Sequence, residues 1–497
     1  MNITVGIDTG TQSTKVVFYD YDKKQIAASA SAPHELISGD DGTREQKAEW
    51  WIEAIESCFS QVSAEIKGSV KAIGVSGQQH GFIPVDAAGA VLRPVKLWCD
   101  TSTAAECDEL TNLYGGTEDL LDGPGNLVLP GYTASKILWF KKNHPDLYAK
   151  MAKILLPHDY INWYLTGEYT MEAGDASGTA LLDIQSCTWD EKLLQILDPE
   201  RDLKSLLPKI IKAGEPAGFI TEKTAEALGI PVGIPVSCGG GDNMMGAIGT
   251  GTVEDGFLTM SLGTSGTIYG YSDTPIIDPE GYLAAFCSST GGWLPLLCTM
   301  NCTVASEQTR ALFRRGVKEF DAIAEKAPAG AKGVMMLPYF NGERTPNFPN
   351  GKACLVGMDN ENMTEENIAR AAMESAIFGL KMGLDSFIRL GFSAKEVRLI
   401  GGGANSPLWR QIAADILNLP ITVSALSEAA ALGGAVQALW TLEVLSGKST
   451  GIKEIVREHV EIDDAKTCRP NPETAAVYEK VYKEYSAYVD ALSGLFS

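Results

Sequence analysis

The chain opens with a strand, a short turn of glycine and hydroxyl residues, and a second strand, and the same construction returns past its midpoint. Val5 and Ile7 alternate up to Asp8, Thr9-Gly10-Thr11-Gln12-Ser13-Thr14 makes the turn, and Lys15 to Tyr19 runs back. Later, Ser261-Leu262-Gly263-Thr264-Ser265-Gly266 turns ahead of the strand-like Thr267 to Tyr271. Glycine lets a backbone turn at positive φ and approach phosphate oxygens, while hydroxyls and aligned N–H groups donate to them. Neither turn is a Walker sequence: G-x-x-x-x-G-K-[ST] is absent, and each turn leads into a strand instead of a helix. Taken singly, either is an ordinary hairpin. Two in one chain point to nucleotide chemistry. Ahead of the second turn stands Gly239-Gly240-Gly241-Asp242-Asn243, a lone carboxylate behind three glycines, which reads as a base beside a phosphate.

The order of elements repeats along with the turns. Strands at 3–7, 15–19 and 25–31 precede a helix near 48–66 carrying Trp50, Trp51, Ile55 and Phe59, then a strand at Ala72 to Val75. The second half has strands at 257–262, 267–271 and near 294–299, helices around 304–315 and 364–390, and a strand at Val397 to Ile400. This duplicated ββ(β)αβ order predicts an α/β protein of two lobes about a cleft, cut at 246/247, with Gly246, Gly249, Gly251 and Gly256 free to hinge. The last strand feeds Gly401-Gly402-Gly403-Ala404-Asn405, and Ser406 with Pro407 starts a helix to Leu417. Such a glycine floor is either a tight strand-to-helix turn or a bed for adenine and ribose. Beside two phosphate-sized turns, nucleotide contact by Gly402, Gly403 and Asn405 is the better reading.

A length of 497 residues allows roughly two to four domains, and 45% hydrophobic with 21% charged residues is ordinary globular usage. The net charge of -22 argues against nucleic acid and anionic membrane as partners, since their phosphates would be repelled. A polyanionic nucleotide must then be met locally, by loop amides, one or two cations and Mg²⁺. The ten cysteines form no C-x-x-C pair, which speaks against zinc and for reduced thiols in the cytoplasm. Asp8 lies inside the first apolar strand and no basic leader precedes it, so no secretory signal is expected. The longest apolar run, Ala429 to Trp440, is Gly-interrupted and too short to span a bilayer.

Two longer signatures carry a resemblance. Gly131-Tyr132-Thr133-Ala134-Ser135-Lys136-Ile137-Leu138-Trp139-Phe140-Lys141-Lys142-Asn143, and Ala353 to Glu374 through Gly357-Met358, Asn367-Ile368 and Arg370-Ala371, resemble the two motifs of the FGGY carbohydrate kinases. That family has two ribonuclease H-like lobes around a central cleft, as in the actin, hexokinase and Hsp70 superfamily. The resemblance implies an N-terminal sugar-binding domain (1–246) and a C-terminal nucleotide-binding domain (247–497), with ATP and Mg²⁺ as cofactors. Homodimers are common in the family. Ser76-Gly77-Gln78-Gln79-His80-Gly81 is similar to the substrate loop of the branch acting on D-xylulose. Runs at Leu97 to Thr103, Gly125-Asn126, Pro157 to Tyr160, Asp175 to Thr179 and Gly342 to Pro346 agree. Gln79 stands where many members carry Met, and Thr103 where many carry Arg.

Mapped onto this chain, the resemblance implies transfer of the ATP γ-phosphoryl group to a primary hydroxyl of a ketopentose, with Asp242 as base. Sister sugars and polyols (ribulose, glycerol, gluconate) are the alternative, and a non-kinase ATPase of the superfamily a more remote one. Gln79, His80, Asp100, Asp242 and Asn243 are the expected sugar contacts, because each buried hydroxyl needs a polar partner. Thr11, Gln12, Ser13, Gly263, Thr264 and Ser265 are expected at phosphates. Lys15 is either a phosphate-binding cation or a solvated strand residue. Asp8, through water, and Asp242 are the expected Mg²⁺ residues.

Overall fold

The computed structural model describes residues 1–426 and 428–496. The chain forms two compact units. The first comprises Met1–Glu254, Tyr271–Pro295 and Leu426–Glu461; the second comprises Asp255–Gly270, Leu296–Ala425 and Ile462–Ser497. The sequence suggests one cut at 246/247, whereas three separate segments build the first unit. Packing explains the two returns: Ala285 and Cys287 join a core with Leu156 and Leu182, and the helix at 429–445 lies on the first sheet.

In the first unit, β1 (Ile3–Thr9), β2 (Ser13–Asp20) and β3 (Gln25–Pro33) run antiparallel, followed by helix α1 (Ala48–Ser60). Strand β4 (Val70–Gly77) pairs in parallel with β1, Asp8 standing opposite both Lys15 of β2 and Ser76 of β4. Helix α2 (Pro157–Thr166) follows, then β5 (Pro216–Phe219), β6 (Pro235–Ser237) and the short β7 (Gly240–Gly241), which pair onto β4's other side to complete a seven-stranded sheet. Ile3, Val5, Ile7, Val16, Phe18, Ile73 and Val75 form its core with Ile55, Cys58 and Phe59 of α1. The single helix expected at 48–66 ends at Ser60, because Ser63 caps a new turn by accepting from the Ile66 amide.

Two more helices matter for the site: α3 (Asp242–Thr250) and α4 (Ala429–Leu445). They cross backbone to backbone. A Cβ on Gly249 would lie 1.8 Å from the Ala429 carbonyl oxygen, and one on Gly433 would lie 1.8 Å from that of Met245. The same helix presses on the sheet, since a Cβ on Gly6 would come within 1.6 Å of the Ala431 oxygen. Gly246 and Gly249, expected at a hinge, therefore belong to a packed helix interior, and Gly251 ends α3 in the left-handed region at φ +84°.

The second unit repeats the pattern with five strands. In sheet order they are β10 (Leu296–Thr299), β9 (Gly266–Gly270), β8 (Phe257–Leu262), β11 (Glu396–Ile400) and β12 (Ile421–Thr422). Three are antiparallel and the last two join in parallel, as in the first unit. Thr364 caps a 25-residue helix (Glu365–Arg389) and Ser406 caps the one at Pro407–Leu417. This is the duplicated ribonuclease H-like α/β fold. Among the described residues, no helix is long and apolar enough to cross a membrane.

Candidate active site

Strand β4 delivers the first part of the site. Its end, Ser76-Gly77, lies between β1 and β7, with Ser76 opposite Asp8 on one side and Gly240 on the other. The Ser76 hydroxyl donates to Asp8 Oδ1 at 2.8 Å. Beyond β7 the chain turns at once into α3, whose first residue is Asp242. That carboxylate sits in the favourable field of a helix N-terminus, and its Oδ1 accepts from the Asn243 amide (2.8 Å) and side chain (3.1 Å). Withdrawal from water outweighs both effects. Desolvation, reinforced by Asp8 and Asp175, pushes the Asp242 pKa up to about 7. Asp8 is raised to about 6, again chiefly by desolvation, which its Ser76 bond and Lys15 offset in part. Two carboxyls that repel each other and titrate near neutrality mark a place built for a proton or a cation.

The wall beside Asp242 is polar and held in place. Asn243 Nδ2 donates to Gln79 Oε1 at 2.7 Å, which fixes the amide's orientation and leaves Gln79 Nε2 a buried donor with no hydrogen-bond acceptor among the described residues. Only glycine fits opposite, since a Cβ on Gly241 would meet Gln79 Cγ at 2.7 Å. His80 is buried at φ +64°, its ring packed on Tyr132 (centroids 4.7 Å apart) and Phe286 (5.6 Å). Gly178 makes room for that ring, as its Cβ would fall 2.2 Å from His80 Cε1. The His80 carbonyl accepts from Lys136 Nζ (2.7 Å) and Thr133 Oγ1 (3.2 Å), so the 131–143 motif serves to anchor the 76–81 loop. Burial lowers the Lys136 pKa to about 7.

Three expected contacts turn out differently. Asp100 is fully buried, and both its oxygens are already engaged: Oδ2 accepts from the Arg44 amide and Lys96 Nζ, Oδ1 from the Ser102 amide and hydroxyl. Four donors saturate a carboxylate, so Asp100 has no lone pair for a sugar and instead ties the loop at 97–102 to its neighbours. Thr11 Oγ1 donates to Gln78 Oε1 and accepts from Trp98 Nε1, both at 3.0 Å; its hydroxyl braces the turn, while Gln12 is exposed and Ser13 half-buried. Lys15 is neither a free phosphate cation nor simply solvated: its ammonium is 2.6 Å from Glu428.

Behind the wall lies a charged group whose role the sequence did not disclose. His158 Nδ1 is 2.9 Å from Asp175 Oδ2 and Nε2 is 2.9 Å from Asp159 Oδ1, all three residues buried. The two carboxylates outweigh desolvation and hold the imidazole pKa well above its ordinary value. A Cβ on Gly77 would fall 2.7 Å from the His158 amide nitrogen, and one on Gly239 3.2 Å from its ring carbon Cδ2. The signal was there in Pro157-His158-Asp159, with Pro at the first helical position and Asp159 capping the Leu156 amide.

In the second unit, the Gly263-Thr264-Ser265 turn closes on the pair Leu262 and Gly266. Its first two carbonyls accept from the Thr303 and Cys302 amides, which turns them into the fold. The glycine floor packs on the base of this turn: Gly401, at φ +86°, would place a Cβ 2.7 Å from the Leu262 oxygen, and Gly403 2.7 Å from Leu262 Cβ. Gly402 and Asn405 are exposed and Gly403 buried. Both nucleotide candidates of this unit thus lie at the carboxyl ends of the neighbouring parallel strands β8 and β11.

Residues 3–249 match the N-terminal domain model of the FGGY family of carbohydrate kinases, and residues 258–442 match its C-terminal domain model. The chain is 42% identical over 495 residues to the xylulose kinase of Haemophilus influenzae, covering 98% of this chain and 99% of that one. It belongs to the FGGY carbohydrate kinases. Solved structures agree: the ligand-bound xylulose kinase from Lactobacillus acidophilus has a TM-score of 0.92 at 25% identity, covering 100% of this chain and 99% of that one. The gluconate kinase from the same organism has a TM-score of 0.91 at 26% identity, with the same coverage. As an FGGY kinase, this protein phosphorylates a small carbohydrate with ATP as co-substrate.

Proposed function

We propose that this kinase phosphorylates D-xylulose to D-xylulose 5-phosphate in the cytoplasm, with Asp242 as the general base. The placement of Asp242 carries the mechanism: a carboxyl with a pKa of about 7, beside the Gln79–Asn243 pair. A base titrating near the working pH takes a hydroxyl proton well without being permanently protonated. The substrate follows from the full-length similarity to a xylulose kinase. All ten cysteines are free, which suits a reducing compartment.

In this reading the ketopentose lies against Gln79, His80 and Asn243, and Gln79 Nε2 donates to one of its oxygens. Asp242 accepts the proton of the primary hydroxyl as that oxygen attacks the γ-phosphorus in line. Positioning supplies most of the rate, with the amides of the 10–13 turn and of Gly263, Thr264 and Ser265 as phosphate ligands and the Gly402–Asn405 turn beneath the nucleoside. Asp8 and Asp242 are hard oxygen donors, both raised towards neutrality chiefly by desolvation, and this set fits Mg²⁺, which commonly takes one or two protein carboxylates and keeps waters and phosphates as its other ligands. When bound, the ion neutralises phosphate charge. Among the described residues no cluster of three acidic, His or Cys side chains forms a self-sufficient metal cage.

Coupled ADP release measured over D-xylulose, D-ribulose, glycerol and gluconate tests the substrate. D-Xylulose is expected to exceed the others by about tenfold or more in kcat/KM. The gluconate kinase neighbour supports the one competing reading; a higher kcat/KM for gluconate or another polyol would replace the proposal with it.

A further inference from the structure

The strand that leads to Asp242 is not regular. Val236 pairs with Ile73 and Gly240 pairs with Ser76, so β6 and β7 advance four residues where β4 advances three. The extra residue is a bulge within Ser237-Cys238-Gly239, and Gly239 takes φ +74° there. A Cβ at that position would meet the Val75 oxygen at 2.8 Å. Because side chains alternate along a strand, one extra residue sends every later side chain to the opposite face. The bulge therefore decides which way the chain presents Asp242.

A bulged residue loses its ladder partners. Here a side chain replaces them. Gln437, fully buried on α4, accepts the Gly239 N–H on Oε1 at 2.9 Å and donates from Nε2 to the Gly239 carbonyl at 3.1 Å. The same amide accepts from the Ser237 hydroxyl (2.7 Å) and donates to the Ser289 carbonyl (3.3 Å). These four bonds are the full capacity of a glutamine amide, and they stand where a neighbouring strand would otherwise be. The Cys238 carbonyl accepts from Asn162 Nδ2 at 2.9 Å.

Most buried glutamines merely satisfy themselves. This one spends two of its four bonds on a single glycine's N–H and C=O, three residues before the base, from a helix locked to α3 by the Gly249 and Gly433 crossing. We infer that Gln437 is a positioning residue: its side-chain amide serves as a substitute strand for the 237–239 bulge and thereby fixes the direction of the Asp242 carboxylate. It touches no reacting group itself. The inference rests on Asp242 acting as base.

The test compares the full-length wild type with Gln437→Met, which keeps the length and removes all four bonds, using the best sugar from the panel above. Expected is a fall in kcat of about 100-fold, the cost of a reacting group displaced by roughly 1 Å, with the sugar KM unchanged within about threefold, because the Gln79, His80 and Asn243 wall is retained. A crystal structure of the variant is expected to show the 237–239 backbone and the Asp242 carboxylate moved. A kcat within about threefold of wild type, or an unmoved Asp242 carboxylate, overturns the inference. If Gln437→Met does not fold, Gln437→Asn, whose amide stops one methylene short of Gly239, takes its place with the same expectations. If the wild type phosphorylates none of the sugars, the mechanism above fails, and the variant's structure alone decides the role of Gln437.

Discussion

Asp242 and Asp8 are carboxyls held near neutrality by the same cause, removal from water, and Asp8 raises Asp242 further. The consequence is a pH dependence of known sign. A base works only when ionised, so kcat/KM is predicted to fall tenfold per unit as pH drops below about 7, the value to which Asp242 is pushed, while the plateau lies above it. A profile flat down to pH 5, well below that value, would contradict the assignment. At this scale the sequence was legible where a residue's neighbours in the chain are also its neighbours in space. Three glycines before Asp242 marked the close approach of backbone, and Asn243, next in the chain, does donate to the Asp242 carboxylate. It was misleading where partners come from afar. Asp100 looked like a sugar ligand, yet the Arg44 amide, 56 residues away in the chain, joins the nearby Lys96 and Ser102 in occupying its oxygens. Thr11 reads as a phosphate contact until Gln78 and Trp98 engage its hydroxyl from elsewhere in the chain.

Helix α4 is the element whose importance local pattern hides. Its run of small and apolar residues excludes a membrane span and says little more, but in the fold it lies on β1, β4 and α3 at once. Glycines make this possible, and they sit on both sides of each contact. Gly249→Ala is predicted to lower the unfolding free energy by about 3 kcal/mol or more, since its Cβ would fall 1.8 Å from a backbone oxygen that no rotamer change can move. Gly402→Ala, with nothing within 4 Å of the new carbon, is predicted to stay within about 0.5 kcal/mol of wild type. Urea denaturation of the two variants checks the contrast, and equal midpoints would contradict the packing described. Turn chemistry, by comparison, was open to reading: Ser406 with Pro407 starts its helix as expected, and both hairpin turns fall where glycine and hydroxyl residues placed them.

The molecule as a whole is a duplication of one sheet plan, three antiparallel strands continued by parallel ones. Strand periodicity and the repeated ββ(β)αβ order carried that much, because each unit folds its sheet from local hairpins continued by helical crossovers. The single boundary at 246/247 did not anticipate the return of 271–295 and 426–461 to the first unit, since long-range returns leave no periodic trace. Nor did sequence spacing reveal that Glu428, the residue just before α4, pairs with Lys15 across more than four hundred residues. Chemistry at the whole-enzyme level turns on one carboxyl. Steady-state kinetics of full-length Asp242→Asn with D-xylulose and ATP provide the direct test: kcat is predicted to fall by about 10²- to 10⁴-fold while the sugar KM stays within about threefold of wild type. A kcat near that of the wild type would show that the proton leaves by another route and that Asp242 is not the base.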